Sequence, residues 1–427
     1  MNYLHKIMQQ PRNRMLLSVL LISLLAVLAR HGVVMHPDSD GYIQGDITRS
    51  ALYPSLIHMF LFLSGTHGLL LLIIFQFLLG YVAITKTVNT LQNVFEFQDY
   101  LRWFVVPILL IPYVGGLLGN VILTEGIAYP IFMLGMCSLL SGIRYKRGKD
   151  FLMYLVYVTL LVLTRRQFLF LYVVFVVLVI WLYLTKAQMR KGVLILGFVA
   201  SLLASTFLEK SYHLAMNQRF EAAPFGGMHF AIAQLYLSSP QDSVCFNDAL
   251  QRSVFVETRH DIEQDKLIPD EDEIFNPFAY SLSFDKILYG HLLPILGKHN
   301  SLDPVLNDQM LTSMGLTLME HNWKRFLHLY ANNVIFYFGG YYFCALVGVL
   351  FLFSFYRSIS SPFEFITAAS FFVLLTAIGN VTATCLFIFL QKRYSMYTDA
   401  FVILLIMIVL DRGFQNWKKN TPALPEG

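Results

Sequence analysis

Residues 167–185 read QFLFLYVVFVVLVIWLYLT, an apolar run that contains no charged side chain. As a helix, a run of this length rises by about 28 Å, close to the roughly 30 Å of hydrocarbon in a bilayer. Similar runs recur along the chain of 427 residues, of which 56% are hydrophobic and only 14% are charged. Soluble domains usually carry about 25% charged residues. The sequence therefore predicts an integral membrane protein.

Apolar stretches long enough for a membrane helix occur about ten times. They fall near residues 14–31, 66–88, 101–116, 118–141, 151–165, 167–185, 191–208, 329–355, 363–390 and 396–411. The first has no small-residue cleavage site after it, so we interpret it as an uncleaved helix. The predicted fold class is an all-α polytopic membrane protein with about ten transmembrane helices.

Short basic loops predict the orientation of these helices. Cytoplasmic loops are enriched in Lys and Arg, and ten spans place all four basic segments on one side if the N-terminus is cytoplasmic. These segments are the N-terminal tail, 144–149, 186–191 and Lys418-Lys419. We thus expect an N-terminal transmembrane module (1–208) with an acidic outer loop (32–65), a mixed, partly helical extracytoplasmic segment (209–328), and a C-terminal transmembrane module with a cytoplasmic tail (329–427). Residues 50–63 are apolar and suit an interfacial helix.

Several function classes have no support in the sequence. The net charge of +4 is too small to argue for nucleic acid as a partner. The chain has no Walker, G-x-G-x-x-G, G-x-S-x-G or H-E-x-x-H motif, and its four cysteines form no C-x-x-C pair. An enzyme of this kind would take its activated group from a membrane lipid instead of a nucleotide.

Two carboxylates in the first outer loop are the sharpest candidate for chemistry. Asp38 and Asp40 flank Ser39 directly after the first predicted helix. Such a pair can act as a general base or hold a divalent cation. The alternative is a capped turn, because Asp, Ser and Gly favour turns through local hydrogen bonds. The spacing alone leaves both interpretations open.

Other charged residues fall where a membrane protein rarely keeps them. Glu125 lies near the outer end of an otherwise apolar predicted helix, where an ionisable group is costly and points to function. The alternative for Glu125 is a carboxylate that bonds to a neighbouring helix. Arg165 and Arg166 occupy a short outer turn, and Lys392 and Arg393 begin the last predicted span from outside. Guanidinium groups bind phosphate well, so these four cations suit the phosphate of a lipid carrier. Contact with anionic headgroups, or a different topology, would also place them there.

The order of these motifs resembles GT-C glycosyltransferases, which include protein O-mannosyltransferases and the aminoarabinose transferases of lipid A. Pro37-Asp38-Ser39-Asp40-Gly41-Tyr42-Ile43, followed by Arg49 and Tyr53-Pro54, resembles their acidic first extracytoplasmic loop. Leu123-Thr124-Glu125 is similar to their second acidic position, Thr164-Arg165-Arg166 to a basic turn, and Arg393-Tyr394 to an Arg-Tyr pair near the last spans. The resemblance covers roughly residues 15–210 and 329–411.

The resemblance implies transfer of a sugar from a polyprenyl-phosphate carrier to an extracytoplasmic glycolipid, glycan or protein, by displacement with inversion. Asp40 or Asp38 would be the base and Glu125 would support it, whereas the outer cations would hold the lipid phosphate. Arg49, Tyr53 and Tyr394 would also line the site. Some members need a divalent cation, so the resemblance leaves metal dependence open. The expected location is a bacterial inner membrane, with the site facing the periplasm.

Two alternatives come from other classes. A polysaccharide polymerase or ligase (Wzy/WaaL-like) also combines many spans with one long outer segment, and relies on Arg and His in that segment. Residues 209–328 contain Arg219, Arg252 and Arg259 among several histidines, and Arg325 lies there too. A transporter or flippase is the second alternative, although its charges usually lie near the bilayer midplane.

Overall fold

A computed structural model describes residues 11–224, 226–270, 273–299, 303–361, 364–387 and 391–420. Within these ranges the chain is almost entirely helical and has no β-strand, only an isolated bridge between Val34 and Val121. The all-α prediction is thus confirmed for the part described. The described residues form two compact units, and the first contains those up to Phe220, those within Phe351–Ala377 and those from Ser395 to Asn420.

The second unit consists of described residues within Glu221–Leu350 and Ile378–Tyr394. Helices are numbered along the chain. The first nine are α1 (Pro11–His31), α2 (Ser39–Gln44), α3 (Leu52–Ser64), α4 (Gly68–Phe95), α5 (Arg102–Gly115), α6 (Glu125–Tyr145), α7 (Gly148–Thr164), α8 (Phe170–Leu184) and α9 (Lys191–Asn217). The others are α10 (Gly226–Leu237), α11 (Ala249–Gln264), α12 (Pro277–Asp285), α13 (Leu293–His299), α14 (Pro304–Tyr337), α15 (Tyr341–Ser360), α16 (Phe365–Phe387) and α17 (Lys392–Asn420).

Seven described segments are long and apolar enough to cross a membrane, which is the composition of a helical membrane protein. They are Leu52–Phe95, Glu125–Tyr145, Arg166–Leu184, Lys191–Asn217, Tyr341–Ser360, Phe365–Phe387 and Arg393–Gln415. Each overlaps one of the predicted spans. The other three predicted spans correspond to helices α1, α5 and α7, which are not among these seven, so the count of ten stays a prediction.

Two predicted spans have the wrong boundaries. The prediction of one helix over 329–355 is wrong, because α14 ends at Tyr337 and α15 begins at Tyr341. Gly339 and Gly340 separate them with φ angles of 83° and 107°, a left-handed conformation that glycine adopts without strain. The span predicted over 118–141 begins only at Glu125. Apolar composition alone does not report such breaks.

The predicted helix over 50–63 is present as α3, although its position relative to a bilayer stays a prediction. A short 3₁₀ turn, Gly65–His67, separates it from α4. Gly68 lies directly against the backbone of Leu61, where a Cβ atom would approach the Cα of Leu61 to 2.6 Å. The two helices therefore turn back on each other over very few residues.

Helix α6 lies at the centre of the first unit, since nearly all of its residues are buried. Small residues allow its neighbours to approach closely, as is usual for membrane helices. Gly142 contacts the ring of Phe151 in α7, and Gly126 contacts the side chain of Gln76 in α4. Because α6 packs against neighbours on several sides, its first residue, Glu125, is held in a fixed position.

In the second unit, α10 packs along α14. Gly227 lies against Thr312, and Gly315 lies against the ring of Phe230 one turn further along. A continuous apolar core surrounds this contact, and it includes Leu235 and Leu311. Helix α11 covers the same core with Val254 and Phe255.

Candidate functional site

The loop after α1, with Asp38 and Asp40, is held to the residues just before α6 by backbone and side-chain hydrogen bonds. Val34 exchanges hydrogen bonds with the residues on either side of Val121, at 2.9 and 3.0 Å. The hydroxyl of Ser39, which is fully buried, donates to the carbonyl of Ile122 at 2.9 Å and accepts from the amide of His36 at 2.8 Å. Ser39 thus makes local hydrogen bonds of the kind that the capped-turn interpretation expects. The carboxylate of Asp38, in contrast, makes no capping bond to α2.

Asp38 instead forms an ion pair with Arg49, with 3.1 Å between Oδ1 and Nη2. The guanidinium of Arg49 also lies over the ring of Tyr42, 4.8 Å from its centroid, in a cation–π contact. Burial lowers the pKa of Arg49, but Tyr42 and Asp38 outweigh burial and the pKa rises above its usual value. Arg49 is therefore a permanent positive charge inside the loop.

Asp40 differs from Asp38 in its exposure and in its partners. It is exposed, lies in the first turn of α2, and has no hydrogen bond or ion pair with any residue that the structure describes. Residues two apart on a helix point about 200° apart, so the two carboxylates face different directions. This arrangement does not favour one cation held by both. No cluster of three or more His, Cys, Asp or Glu that could hold a metal is found among the described residues.

Glu125 and Arg165 form a second ion pair, with 2.6 Å between Oε1 and Nη1. The Glu125 side chain is 2% exposed and that of Arg165 is 18% exposed. The hydroxyl of Thr124 donates to the other carboxylate oxygen, Oε2, at 3.1 Å. As the first residue of α6, Glu125 also lies where a helix terminus favours negative charge.

Tyr42 lies between the two ion pairs. It is 6% exposed, and the charges of Arg165, Arg49, Glu125 and Asp38 all act on its hydroxyl. Burial raises the pKa of Tyr42 above its usual value, although Arg165 and Arg49 oppose this. Tyr42 therefore stays neutral and can donate a hydrogen bond. We name these five residues the Tyr42 cluster.

Tyr53 connects this cluster to α4. Its ring meets that of Tyr42 edge-on, with centroids 5.4 Å apart. Its hydroxyl donates to Oε1 of Gln76 at 2.8 Å, and the Gln76 amide donates to the carbonyl of Gly119 at 2.9 Å. Gln76 was not a predicted site residue. A lone amide in an apolar run at membrane depth was the signal that could have identified it.

Arg166 has a different partner from its neighbour. Its Nε lies 3.7 Å from Oε2 of Glu209, which is 3% exposed, whereas the Arg166 side chain is 46% exposed. Glu209 was also missed by the sequence interpretation. Its signal was an acidic residue near the end of an apolar helix. Among the predicted cations of the first unit, Arg166 is thus the one that an external group reaches most easily.

The end of α9 holds the other end of α2. The amide of Asn217 donates to the carbonyl of Gly45 at 3.2 Å, and His58 bonds to the carbonyl of Ile43 at 2.8 Å. Gly45 itself adopts φ of 68°, which ends α2. The short helix that carries Asp40 is therefore fixed by α3 and α9 as well as by the start of α6.

The remaining predicted cations belong to the second unit. Arg393 donates to the hydroxyl of Tyr394 at 3.0 Å and lies over its ring, 5.0 Å from the centroid. The carbonyl of Tyr394 accepts from the Asn380 amide at 2.7 Å. The side chain of Lys392 is outside the described residues. The predicted convergence of Arg165 and Arg393 on one phosphate stays a prediction.

Comparisons with protein-family models, with curated proteins and with solved structures found no match for this chain.

Proposed function

We propose that the chain is a membrane glycosyltransferase of the GT-C type, which transfers a sugar from a polyprenyl-phosphate carrier to an extracytoplasmic acceptor. The observation that carries the proposal is the exposed carboxylate of Asp40 on a short helix held from three sides, which also carries Tyr42 and lies next to the paired, largely buried charges of the Tyr42 cluster. Buried charges need partners, as Asp38 and Glu125 have, whereas the carboxylate of Asp40 is open to an acceptor hydroxyl.

Asp40 is the proposed general base. Its carboxylate accepts the proton of the acceptor hydroxyl while that oxygen bonds to the anomeric carbon of the sugar. The bond from this carbon to the phosphate oxygen breaks, and the electron pair leaves with the polyprenyl phosphate. Because attack and departure occur on opposite faces, the anomeric configuration inverts.

Asp38 and Glu125 have a different proposed role. Both are neutralised by guanidinium groups, so they hold the loop and α6 in place and are less suited to accept a proton. Fixed positioning of the base contributes to catalysis because it avoids the entropy cost of bringing the groups together. Asp40 therefore has a different proposed role from Asp38 and Glu125, although the sequence predicted all three as catalytic residues.

In the first unit, the residue proposed to contact the leaving phosphate is Arg166. Its side chain is the most exposed of the predicted cations in that unit. A cation beside the phosphate stabilises the charge that develops as the bond breaks. Arg165, Lys392 and Arg393 remain proposed contributors. The polyprenyl-phosphate donor and the location in a bacterial inner membrane are parts of the same proposal, and a divalent cation is compatible with it.

The test compares Asp40→Asn with Asp46→Asn in turnover of a radiolabelled polyprenyl-phosphate sugar by purified protein in detergent. Asp46 is an exposed carboxylate in the same loop and bonds only locally, to Thr48 at 2.7 Å, so it is a matched control. Asp40→Asn should lower turnover by about 10²–10⁴-fold, the usual contribution of a general base. Asp46→Asn should leave turnover near wild type. Equal turnover in both variants would remove Asp40 from the mechanism.

A further inference from the structure

The buried face of α9 is polar over the second half of the helix. Ser201, Ser205, Glu209 and His213 follow one another at intervals of four residues, so they lie on one side of the helix, and all four are buried. Polar groups in a membrane helix are costly, which makes each of them a candidate for function. His213 is the last of the four and is completely buried, with 0% exposure.

Asn217, one turn after His213, connects it to the end of α2. The amide nitrogen of Asn217, Nδ2, lies 3.2 Å from the carbonyl oxygen of Gly45 and 3.2 Å from Nδ1 of His213. Gly45 directly follows α2, the short helix that carries Asp40. Two hydrogen bonds therefore lead from the imidazole of His213 through Asn217 to the C-terminal end of α2, and we name them the His213 link.

The link determines which nitrogen of His213 carries the proton. A carbonyl oxygen can only accept a hydrogen bond, so the group of Asn217 that faces Gly45 is its NH₂ group. The same NH₂ group faces Nδ1 of His213, which must then be the acceptor. The neutral ring therefore carries its proton on Nε2, and the link exists only while Nδ1 has no proton.

Protonation of His213 would break the link. A proton on Nδ1 would point at the NH₂ group of Asn217, so two donors would face each other at 3.2 Å. The charge would not be balanced at the other nitrogen, because Nε2 is buried and has no hydrogen-bond partner among the described residues. A buried charge without a partner is costly. The neutral ring is therefore the form that fits this place.

Other charged and titratable groups surround His213. Arg166, before α8, and Asp46, after α2, act on His213 with opposite charges. Glu209 precedes His213 by one turn in α9 and forms an ion pair with Arg166. His58 of α3 donates from Nε2 to a carbonyl of α2 at 2.8 Å. A protonated His58 keeps its hydrogen on Nε2, so this second contact with α2 does not depend on pH in the way that the link does.

The end of α2 is closely packed. Gly45 has φ of 68°, and a Cβ atom there would lie 2.9 Å from both Oη of Tyr212 and Cε1 of His58. Side chains of α3 and α9 therefore enclose this glycine from two sides. Close packing of this kind makes the position of α2 sensitive to the contacts that α9 makes with it, and the bond from Asn217 is one of them.

We propose that neutral His213 is a positioning residue for Asp40, which holds the C-terminal end of α2 through Asn217 and releases it on protonation. Gly45 is about 7.5 Å of helical rise from Asp40, so a tilt of α2 displaces the carboxylate. A displacement of about 1 Å is enough to slow a reaction strongly. This role rests on the proposed function of Asp40 as the base, whereas the link itself can be tested without it.

Hydrogen–deuterium exchange of the full chain in detergent tests the link independently of activity. The amides of Gly45 and Asp46 donate to the carbonyls of Tyr42 and Gly41 at 3.3 and 3.0 Å, so their exchange reports the last turn of α2. Protection factors correct for the pH dependence of exchange itself. They should fall by about 2–10-fold from pH 7.5 to pH 4.5, the factor that one hydrogen bond contributes to an equilibrium. Unchanged protection would overturn the proposal.

Three variants assign the effect to the link. His213→Gln has a side-chain carbonyl that can accept from Asn217 without titrating, so protection should stay high at both pH values. Asn217→Ala removes the link and should give low protection at both. Asn217 is only half-buried, so this variant decides the question if His213→Gln does not fold. His67→Gln replaces an exposed histidine of the same unit and should behave as wild type. A fall of wild-type size in His213→Gln, or full protection in Asn217→Ala, would contradict the link.

Turnover of the same proteins tests the positioning role. The value of kcat should fall together with protection in the wild type as the pH falls, while KM for the lipid-linked donor changes little, because the link acts on the base. In His213→Gln the fall in kcat should be smaller. Protection that changes with His213 while kcat does not would overturn the positioning role. A protein with the change in protection but no turnover at any pH would contradict the proposed function and leave the link in place.

Discussion

Arg165 and Glu125 are ion-paired across 2.6 Å, although 40 positions separate them in the sequence. The pair joins the residue directly after α7 to the residue that begins α6. An isolated carboxylate at this depth would be very unfavourable, and a guanidinium nearby makes it tolerable. The pair therefore holds the start of α6 against the end of α7 beside the Tyr42 cluster.

Removal of one partner of this pair should be strongly destabilising. Glu125→Ala leaves the partly buried charge of Arg165 without its carboxylate, and removal of one partner of a fully buried pair costs up to about 3–5 kcal/mol. The double variant Glu125→Leu/Arg165→Met should recover most of that loss, because no unpaired charge remains. Thermal unfolding in detergent measures both. Arg147→Gln, which breaks the exposed pair with Asp150, is the control. A loss below about 1 kcal/mol in Glu125→Ala would contradict a structural role.

Asp38 and Arg49 should behave as one unit. Asp38→Asn and Arg49→Gln each remove the same ion pair, so the double variant should lose little more activity than either single variant. The expected coupling energy is about 0.5–3 kcal/mol, the range for residues in contact. Turnover of all four proteins measures it. Strictly additive losses would show that the two side chains act separately.

Binding of the lipid carrier should depend on Arg166 and Arg393. We expect Arg166→Ala or Arg393→Ala to weaken polyprenyl-phosphate binding by about 1.5–3 kcal/mol each, as for hydrogen bonds to charged groups. Arg→Lys should restore binding only in part, because the bidentate fork is lost. Affinity is measured by titration with polyprenyl phosphate and with the same lipid as a free alcohol. The difference between the two affinities gives the contribution of the phosphate group. Equal affinity for the two lipids in every variant would favour the polymerase or transporter alternative.

The orientation of the chain has its own test. Gln44 and Gln264 are exposed, so cysteines there should react with an impermeant maleimide added outside sealed cells. A cysteine at Lys149, also exposed, should not react. Ser39 is unsuitable for labelling because it is buried and hydrogen-bonded. Labelling of Lys149→Cys alone would place the acidic loop in the cytoplasm and remove the proposed site from the outer face.

The sequence alone predicted the helical membrane class, because apolar runs near bilayer length have few other stable structures. It also predicted Asp38, Asp40 and Glu125 as residues of interest, since charge in an apolar chain is costly wherever the chain folds. Those inferences depend on composition and local spacing. The breaks at Gly339–Gly340 and before Glu125 were not predicted, because each lies within a predominantly apolar stretch whose length suits a single span.

Only the tertiary structure decided which charges are neutralised. Asp38 and Asp40 look equivalent in the sequence, yet one is paired with Arg49 and the other is exposed. Arg165 and Arg166 are adjacent, yet they meet carboxylates on different helices. The contacts of Gln76 and Glu209 with other site residues were likewise not predicted from the sequence. Ion pairs and hydrogen bonds depend on distances of a few ångströms between segments far apart in the chain, and those distances are set by helix packing.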